Sequence, residues 1–379
     1  MIDLPDSALL LGRVWRAGIG PSLVTLRAGR VLDITTRAAP TMRDLLEQAD
    51  ITAFVAAIDG VDIGSLAEIA DNSVEATAEV TRLLAPCDLQ AVKACGVTFA
   101  RSMVERVIEE RAGGDPGRAA EVRARIAKVI GDSLRDLVPG SAKAAEVKAV
   151  LQAEGLWSQY LEVGIGPDAE VFTKAQPMSA VGWGASVGLH PISQWNNPEP
   201  EVVLVVDSSG RIVGATLGND VNLRDVEGRS ALLLGKAKDN NAAASLGPFI
   251  RVFDDGFTLE NVRRMELSLT VTGRDGFSLN GRSSMAEISR DPADLVAQTR
   301  GRHHQYPDGF LLYCGTMFSP VQDRDGPGQG FTHHLGDIVT IATPELGALT
   351  NTVRLSTESP EWTFGTRALM TNLAARGLL

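Results

Sequence analysis

The chain has 379 residues, 44% of them hydrophobic and 22% charged, with a mean hydropathy of +0.03, a formal net charge of −11 and a pI near 5.1. At roughly one domain per 150 residues this is enough chain for two domains with a full core, and neither disorder nor a fibrous repeat fits the composition. The acidic balance excludes a general phosphate-backbone binder, so nucleic acid is not an expected partner.

Cys87, Cys95 and Cys314 are odd in number and form no C-x-x-C pair, which suits reduced thiols better than a disulfide framework or a zinc knuckle. The N-terminal stretch MIDLPDSALLLGRVW has no basic region followed by a long apolar run, and no run of about 18 apolar residues occurs anywhere. The expectation is a cytoplasmic protein with no membrane span.

In chain order, LLLGRVW (9–15), SLVTLRAG (22–29) and RVLDI (30–34) read as short strands, and TMRDLLEQA (41–49) as a short helix opened by Thr41. This predicts a small β-rich N-terminal domain over 1–85, ending near LLAPCDL. The remainder, 86–379, is the larger unit. From 101 to 159 the pattern turns helical. RSMVERVIEERA carries Met103, Val104, Val107 and Ile108 on one stripe, Asp115-Pro116 starts PGRAAEVRARIAKVIGDSL, and AKAAEVKAVLQAEG stops at Gly155. About 112–155 is therefore expected to be a helical insertion, solvated or facing a subunit. YLEVGIG (160–166), EVVLVVD (201–207), RIVGATLGND (211–220), MELSLTVTG (265–273), GFLLYCGT (309–316) and DIVTIATPELGALTNTV (337–353) read as strands. The predicted class is mostly β with helices, α+β.

Residues 196–206, NNPEPEVVLVV, place Glu199 and Glu201 immediately before an apolar run. Side chains alternate along a strand, so the two carboxylates share a face. If Ser209-Gly210 make a two-residue hairpin loop, Asp220 lies opposite Glu199; a three-residue loop would turn Asp220 to the other face. Three converging carboxylates repel one another without a cation, and an all-oxygen set selects a hard ion such as Mg²⁺, Mn²⁺ or Ca²⁺. Alternatively the glutamates are a solvated strand mouth and Asp220 a turn residue.

The stretches NNPEPEVVLVV, LGNDVNLRD (217–225), KDNNAAASLGPFI (238–250) and YCGTMFSP (313–320) together resemble successive signatures of the fumarylacetoacetate hydrolase superfamily, over most of residues 86–360. KACGVTFARSMVERVIEER, EGLWSQYLEVGIGPDAEVFTK, QWNNPEPEV, GRSALLLGKAKDNN and QYPDGF most resemble its bacterial 2-keto-3-deoxy-D-xylonate (2-keto-3-deoxypentonate) dehydratases. The resemblance implies a mixed β-roll catalytic domain behind the small N-terminal domain. It also implies a metal set of Glu199, Glu201 and Asp220 holding Mg²⁺, with Mn²⁺ as substitute and no further cofactor, and a homodimer or homotetramer. Lys238 matches the family's site lysine, with Lys236 as competitor. Arg224 matches a buttressing arginine, and Gly315-Thr316 the pair that meets a substrate carboxylate.

Hydrolases of the superfamily commonly carry G-x-N-Y-x-x-H-x-x-E, whose His-Glu pair activates water. Here GVTFARSMVE puts Ser102 at the His place and keeps Glu105, which breaks that dyad. Ser102 and Glu105 share a helix face, so Glu105 is either an acid or base acting from a lid, or half of an Arg101–Glu105 surface pair. Glu227 stands where some members have glutamine. Asp323, Arg324 and Gln329 are candidates for the hydroxyl end of a substrate, whereas the His303-His304 and His333-His334 pairs read as structural or surface residues. The implied activity is metal-assisted dehydration of a small 2-keto acid, 2-keto-3-deoxy-D-pentonate (xylonate or arabinonate derived), to 2,5-dioxopentanoate, with Lys238 or Glu105 taking the C3 proton. The rivals are C–C hydrolysis of an acylpyruvate and a non-enzymatic carboxylate-binding protein.

Overall fold

Most apolar runs bounded by Gly, Pro and Asp pair into sheet, and the computed structural model describes all residues except 1–3, 6–7, 75–76, 78, 123–136, 154, 156 and 317–319. Among the described residues the fold is α+β and is built on an eleven-stranded and a five-stranded sheet. The large sheet runs in the order Val61–Ser65, Arg30–Asp33, Gly20–Arg27, Leu10–Arg16, Ala244–Val252, Ile212–Asp220, Pro200–Val206, Phe310–Tyr313, Ala91–Gly96 and Glu170–Ala175, with Arg82–Leu84 paired to Leu10–Arg16. The N-terminal strands thus continue into the rest of the sheet, through antiparallel pairing of Leu10 with Arg251 and Leu11 with Ile250. The smaller sheet orders Ser278–Ser284, Glu266–Thr272, Ile338–Thr343, Gly347–Leu355 and Ser186–Leu189.

Strand Pro200–Val206 is central to the large sheet and buried throughout. Val202, Leu204 and Val206 join the core shared with Leu267, Leu269 and Ile341 of the second sheet. Val203 and Val205 face the opposite core, with Leu311 and Tyr313. Burial on both faces is why this strand reads as a continuous apolar run rather than an alternation.

Several segments differ from the sequence expectation. YLEVGIG is not a strand. It forms the helix Gln159–Ile165, capped by the Ser158 hydroxyl, which accepts from Tyr160 N. Leu161 and Ile165 lie one turn apart and pack on Met103 and Val107, and the glycine at 164 leaves room for Met103. The helical block is not merely solvated: helix Ala100–Ala112 buries Val107 and Ile108 completely and stands over the end of strand Pro200–Val206. The chain is helical again from Pro116 to 122, and the rest of that expected helix lies largely outside the described residues. The helix Leu66–Ser73 escaped the sequence reading, although its Ser65/Glu68 capping box was legible. Strand Ala244–Val252 escaped it as well. No described helix is long and apolar enough to cross a membrane.

Candidate metal centre

The register of one hairpin builds the site. Strand Pro200–Val206 pairs antiparallel with Ile212–Asp220, Pro200 facing Asn219 and Glu201 facing Gly218, and Asp220 N donates to Glu199 O (3.1 Å). The loop is not the two-residue turn of the simplest reading. Asp207 N donates to Arg211 O (3.0 Å), leaving Ser208–Gly210 as a three-residue loop with Gly210 at φ +93°. A bulge between Val205 and Val206 then adds one residue to the second strand and restores the parity, so Asp220 falls on the face of the two glutamates. At the centre of the pair, a side chain on Gly218 would collide with Tyr313, its Cβ 2.3 Å from the ring.

Glu199, Glu201 and Asp220 are each 1% exposed, and one oxygen from each lies within 4.8 Å of the others. Basic groups surround them. Lys238 Nζ contacts Glu199 Oε2 and lies 3.0 Å from Asp220 Oδ2. Lys174 Nζ stands 2.7 Å from Asp220 Oδ1 as an ion pair without hydrogen-bond alignment, and is itself fixed by Lys238 O (2.6 Å) and Val221 O (3.2 Å). Arg106 bonds Glu199 and Glu109 (2.6 Å) and stands 3.1 Å from Glu227 Oε2 as an ion pair without hydrogen-bond alignment. Glu201 Oε2 accepts from Gly315 N (2.8 Å). Gly315 adopts φ +98°, and its absent Cβ would stand 2.0 Å from Thr98 Oγ1.

Acid exceeds base in this cavity. Glu170, Glu199, Glu201, Asp220 and Glu227 line it, with Arg106 and Lys238 opposing. Burial, together with Asp220 and Glu199, pushes the Glu201 carboxyl well above its ordinary range. Burial acts the same way on Asp220, but Lys174 and Lys238 outweigh it and hold that carboxyl low. Lys238 is desolvated, yet Asp220, Glu199 and Glu227 keep it protonated beyond its usual range. Burial chiefly, helped by Glu199 and Asp220, raises Glu170, and burial with Glu199 and Glu109 pushes Glu227 up to about 7. Three buried carboxylates with an Asp220 oxygen lacking a hydrogen bond fit a hard divalent cation, which would relieve the surplus charge.

The other sequence candidates fall in different places. Thr316 lines the cavity. Lys236 is exposed while Lys238 is buried, which separates the two competitors. Ser102 donates to Phe99 O (2.9 Å) at the start of its own helix, and Glu105 accepts from Arg224 Nη2 (3.1 Å); neither lines the cavity. Arg224 also bonds Glu109 (2.7 Å) and Pro320 O (3.2 Å) and stacks 4.3 Å over Trp195, bracing helix Ala100–Ala112. Asp323 accepts from Gly328 N and Gly330 N and so closes its own loop. Arg324 is paired with Asp337 and Asp275, and His333 with Asp337. Sequence reasoning missed Arg106, Lys174 and Glu170. A lysine inside the strand EVFTKA was the one local signal. Glu170 fits only because Gly96 faces it, where a Cβ would be 1.9 Å from its carboxylate.

Residues 165–354, half of the chain, match the family model described as fumarylacetoacetate (FAA) hydrolase C-terminal. The chain belongs to the fumarylacetoacetate hydrolase family. Within it, 195 residues are 33% identical to the "Probable 2-keto-3-deoxyxylonate dehydratase" of Haloferax volcanii, over 51% of this chain and 63% of that one. Another 185-residue match is 29% identical to the 2-dehydro-3-deoxy-D-arabinonate dehydratase of Saccharolobus solfataricus, over 49% and 58%. The matched regions span less than two thirds of the length of these relatives. The fold is shared with a solved 2-keto-3-deoxy-D-arabinonate dehydratase complexed with magnesium and 2,5-dioxopentanoate (TM-score 0.62, 20% identity, 91% of this chain and 99% of that one).

Proposed function

We propose that this chain is a Mg²⁺-dependent dehydratase of 2-keto-3-deoxypentonates, forming 2,5-dioxopentanoate and water. The observation that carries the proposal is the buried Glu199–Glu201–Asp220 cluster, opening on a cavity with further carboxyls outside the cluster. The dehydratase names of the two relatives and the magnesium in the solved neighbour support it. When bound by the three carboxylates, the ion would supply Lewis-acid polarisation of the 2-keto acid and acidify C3.

The chain's own groups do the rest. Lys238, held as an ammonium against Glu199 and Asp220, offsets negative charge developing on the 2-keto oxygen. Gly315 N orients Glu201, and Thr316, which lines the cavity, is placed to meet the substrate carboxylate. Elimination requires a proton to leave C3 and another to reach the departing C4 hydroxyl. Glu170 is a cavity carboxyl placed to take the first, and burial raises its pKa, which makes its carboxylate a stronger base. With Ser102 tied to the backbone and Glu105 to Arg224, the dyad position of the hydrolases supplies no water-activating pair to the cavity.

Product analysis by NMR and mass spectrometry, with 2-keto-3-deoxypentonate and an acylpyruvate incubated separately with and without EDTA, tests this. The expected result is Mg²⁺-dependent loss of one water from the pentonate to give the C5 aldehyde. Cleavage of the acylpyruvate alone would overturn it in favour of C–C hydrolysis.

A further inference from the structure

One cavity carboxyl has no place in the scheme above. Glu227 ends the single helical turn Arg224–Glu227, and the rest of that turn is committed to structure. Arg224 is locked against Glu109 and Trp195, Asp225 accepts from the Ser193 hydroxyl (2.7 Å) and Gln194 N (2.8 Å), and Val226 lies in the core. Glu227 instead faces the cavity beside Glu199 and Lys238 while being only 4% exposed. Its Oε2 is buried without a hydrogen-bond partner among the described residues.

Its neighbours are ionic and loosely placed. Arg106 Nη1 lies 3.1 Å from Oε2 and Lys238 Nζ 4.0 Å. Arg106 already binds Glu199 and Glu109, so it does not need Glu227 to be satisfied. Nor does Glu227 belong to the trio whose oxygens converge on the ion position. A buried carboxyl that neither ligates nor closes a hydrogen-bond network, and opens on the substrate space, is placed for proton transfer. The charged and titratable groups around it, Arg106 and Glu109 from helix Ala100–Ala112, Glu199, Lys238 and Tyr160, balance so that burial leaves its carboxyl near 7.

We propose that Glu227 is the general acid of the reaction, protonating the hydroxyl that leaves C4. The inference rests on the dehydratase reading and names the residue that reading lacks. As the C3–H bond breaks toward the base, its electron pair forms the C3–C4 double bond, the C4–O bond breaks, and the oxygen leaves as water with the Glu227 proton. The carboxylate so formed takes a proton from C5 while the base returns its proton to C3, giving the C4–C5 enol. Glu227 then protonates C4 and regains a proton from the C5 hydroxyl, leaving the aldehyde and a protonated acid. No oxidant or co-reactant enters.

The full-length Mg²⁺-loaded Glu227→Gln variant separates the acid from the base. Gln keeps the size of the side chain but carries no transferable acid proton. Dehydration is expected to fall by about 100-fold or more in kcat with KM little changed. Exchange of the C3 protons of 2-oxobutyrate with D₂O, which needs the base alone, is expected to continue at the wild-type rate. A 4-fluoro substrate analogue, whose leaving group needs no proton, should be turned over at close to the wild-type rate. Unchanged dehydration, or dehydration and exchange lost together in a folded variant, would overturn the assignment while leaving the dehydratase reading intact. A wild-type protein that does not dehydrate the pentonate overturns both. If the Gln variant does not fold, Glu227→Asp carries the test: the high-pH limb of kcat should move with the changed acid, and a limb identical to wild type overturns the proposal.

Discussion

Two elements meet at the buried acidic cluster and obtain their residues by different means. The hairpin formed by Pro200–Val206 and Ile212–Asp220 converges its carboxylates through backbone register, a property of alternation and loop length. Helix Ala100–Ala112 contributes through burial: Arg106 and Glu109 are sealed against Glu199 and Arg224 although they look like any charged helical pair in sequence. The comparison teaches that ligand geometry is local, whereas the electrostatic setting of the ligands comes from a segment remote in the chain.

The largest effect should come from the hairpin. Glu201→Gln is expected to abolish the heat of Mg²⁺ binding in calorimetry and reduce turnover to background. The same change should raise the melting temperature of the metal-free protein, because it removes an ionisable group that burial and two like charges disfavour. A lower metal-free melting temperature would contradict the repulsion argument.

On the helix side, Arg106→Met leaves Glu199, Glu109 and Glu227 short of a shared cation. A loss of about 3–5 kcal/mol is expected in urea unfolding, the usual scale for stripping one partner from a buried ionic cluster. Saturating Mg²⁺ should recover part of that loss by neutralising Glu199, the one of the three that belongs to the acidic cluster. An Arg106→Met protein as stable as wild type would mean that the helix does not set the charge balance.

The pH dependence sharpens the same point. Glu227 has a folded pKa of about 7 against an ordinary value of 4.5, and Glu201 and Glu170 are displaced in the same direction. Groups with a raised folded pKa contribute stability that is full below the unfolded value and is lost as pH rises through the folded one. Thermal unfolding of the EDTA-treated protein should therefore show a melting temperature that declines from about pH 5 to about pH 8. Magnesium should flatten the decline, and a metal-free melting temperature that rises over this window would refute the assignment. Asp220, displaced downward, contributes stability that is full above its ordinary value of 3.8 and is lost only as pH falls below it, outside this window.

The smallest effect is expected at Ser102. Its hydroxyl donates to Phe99 O within its own helix and does not reach the cavity, so Ser102→Ala should cost less than about 1 kcal/mol and leave turnover unaltered. A large fall in kcat would return this position to the chemistry.

Much of the site was legible before the fold. Counting along the strands brought Glu199 and Glu201 to one face and, with one choice of loop, Asp220 to the same side; the family resemblance pointed to the same three and to Lys238. The path was not: the two-residue loop assumed for the hairpin is a three-residue loop, and a bulge that nothing in the residue types announces corrects the parity. YLEVGIG misled because a short apolar run with β-branched residues suits strand and buried helix alike, and only the Ser158 cap decides.

The sequence by itself determined the α+β class and the family and, through strand alternation and the family's motifs, pointed to the acidic triad and the lysine beside it, because alternation and motif order are one-dimensional properties. Tertiary structure alone decided that Glu105 turns to Arg224, that Lys236 is exposed, and that Arg106, Lys174, Glu170 and Glu227 surround the triad. Those outcomes depend on which charged side chains lose their water when distant segments pack. Desolvation and pairing depend on three-dimensional neighbours, and a charged residue's place in the sequence does not reveal them.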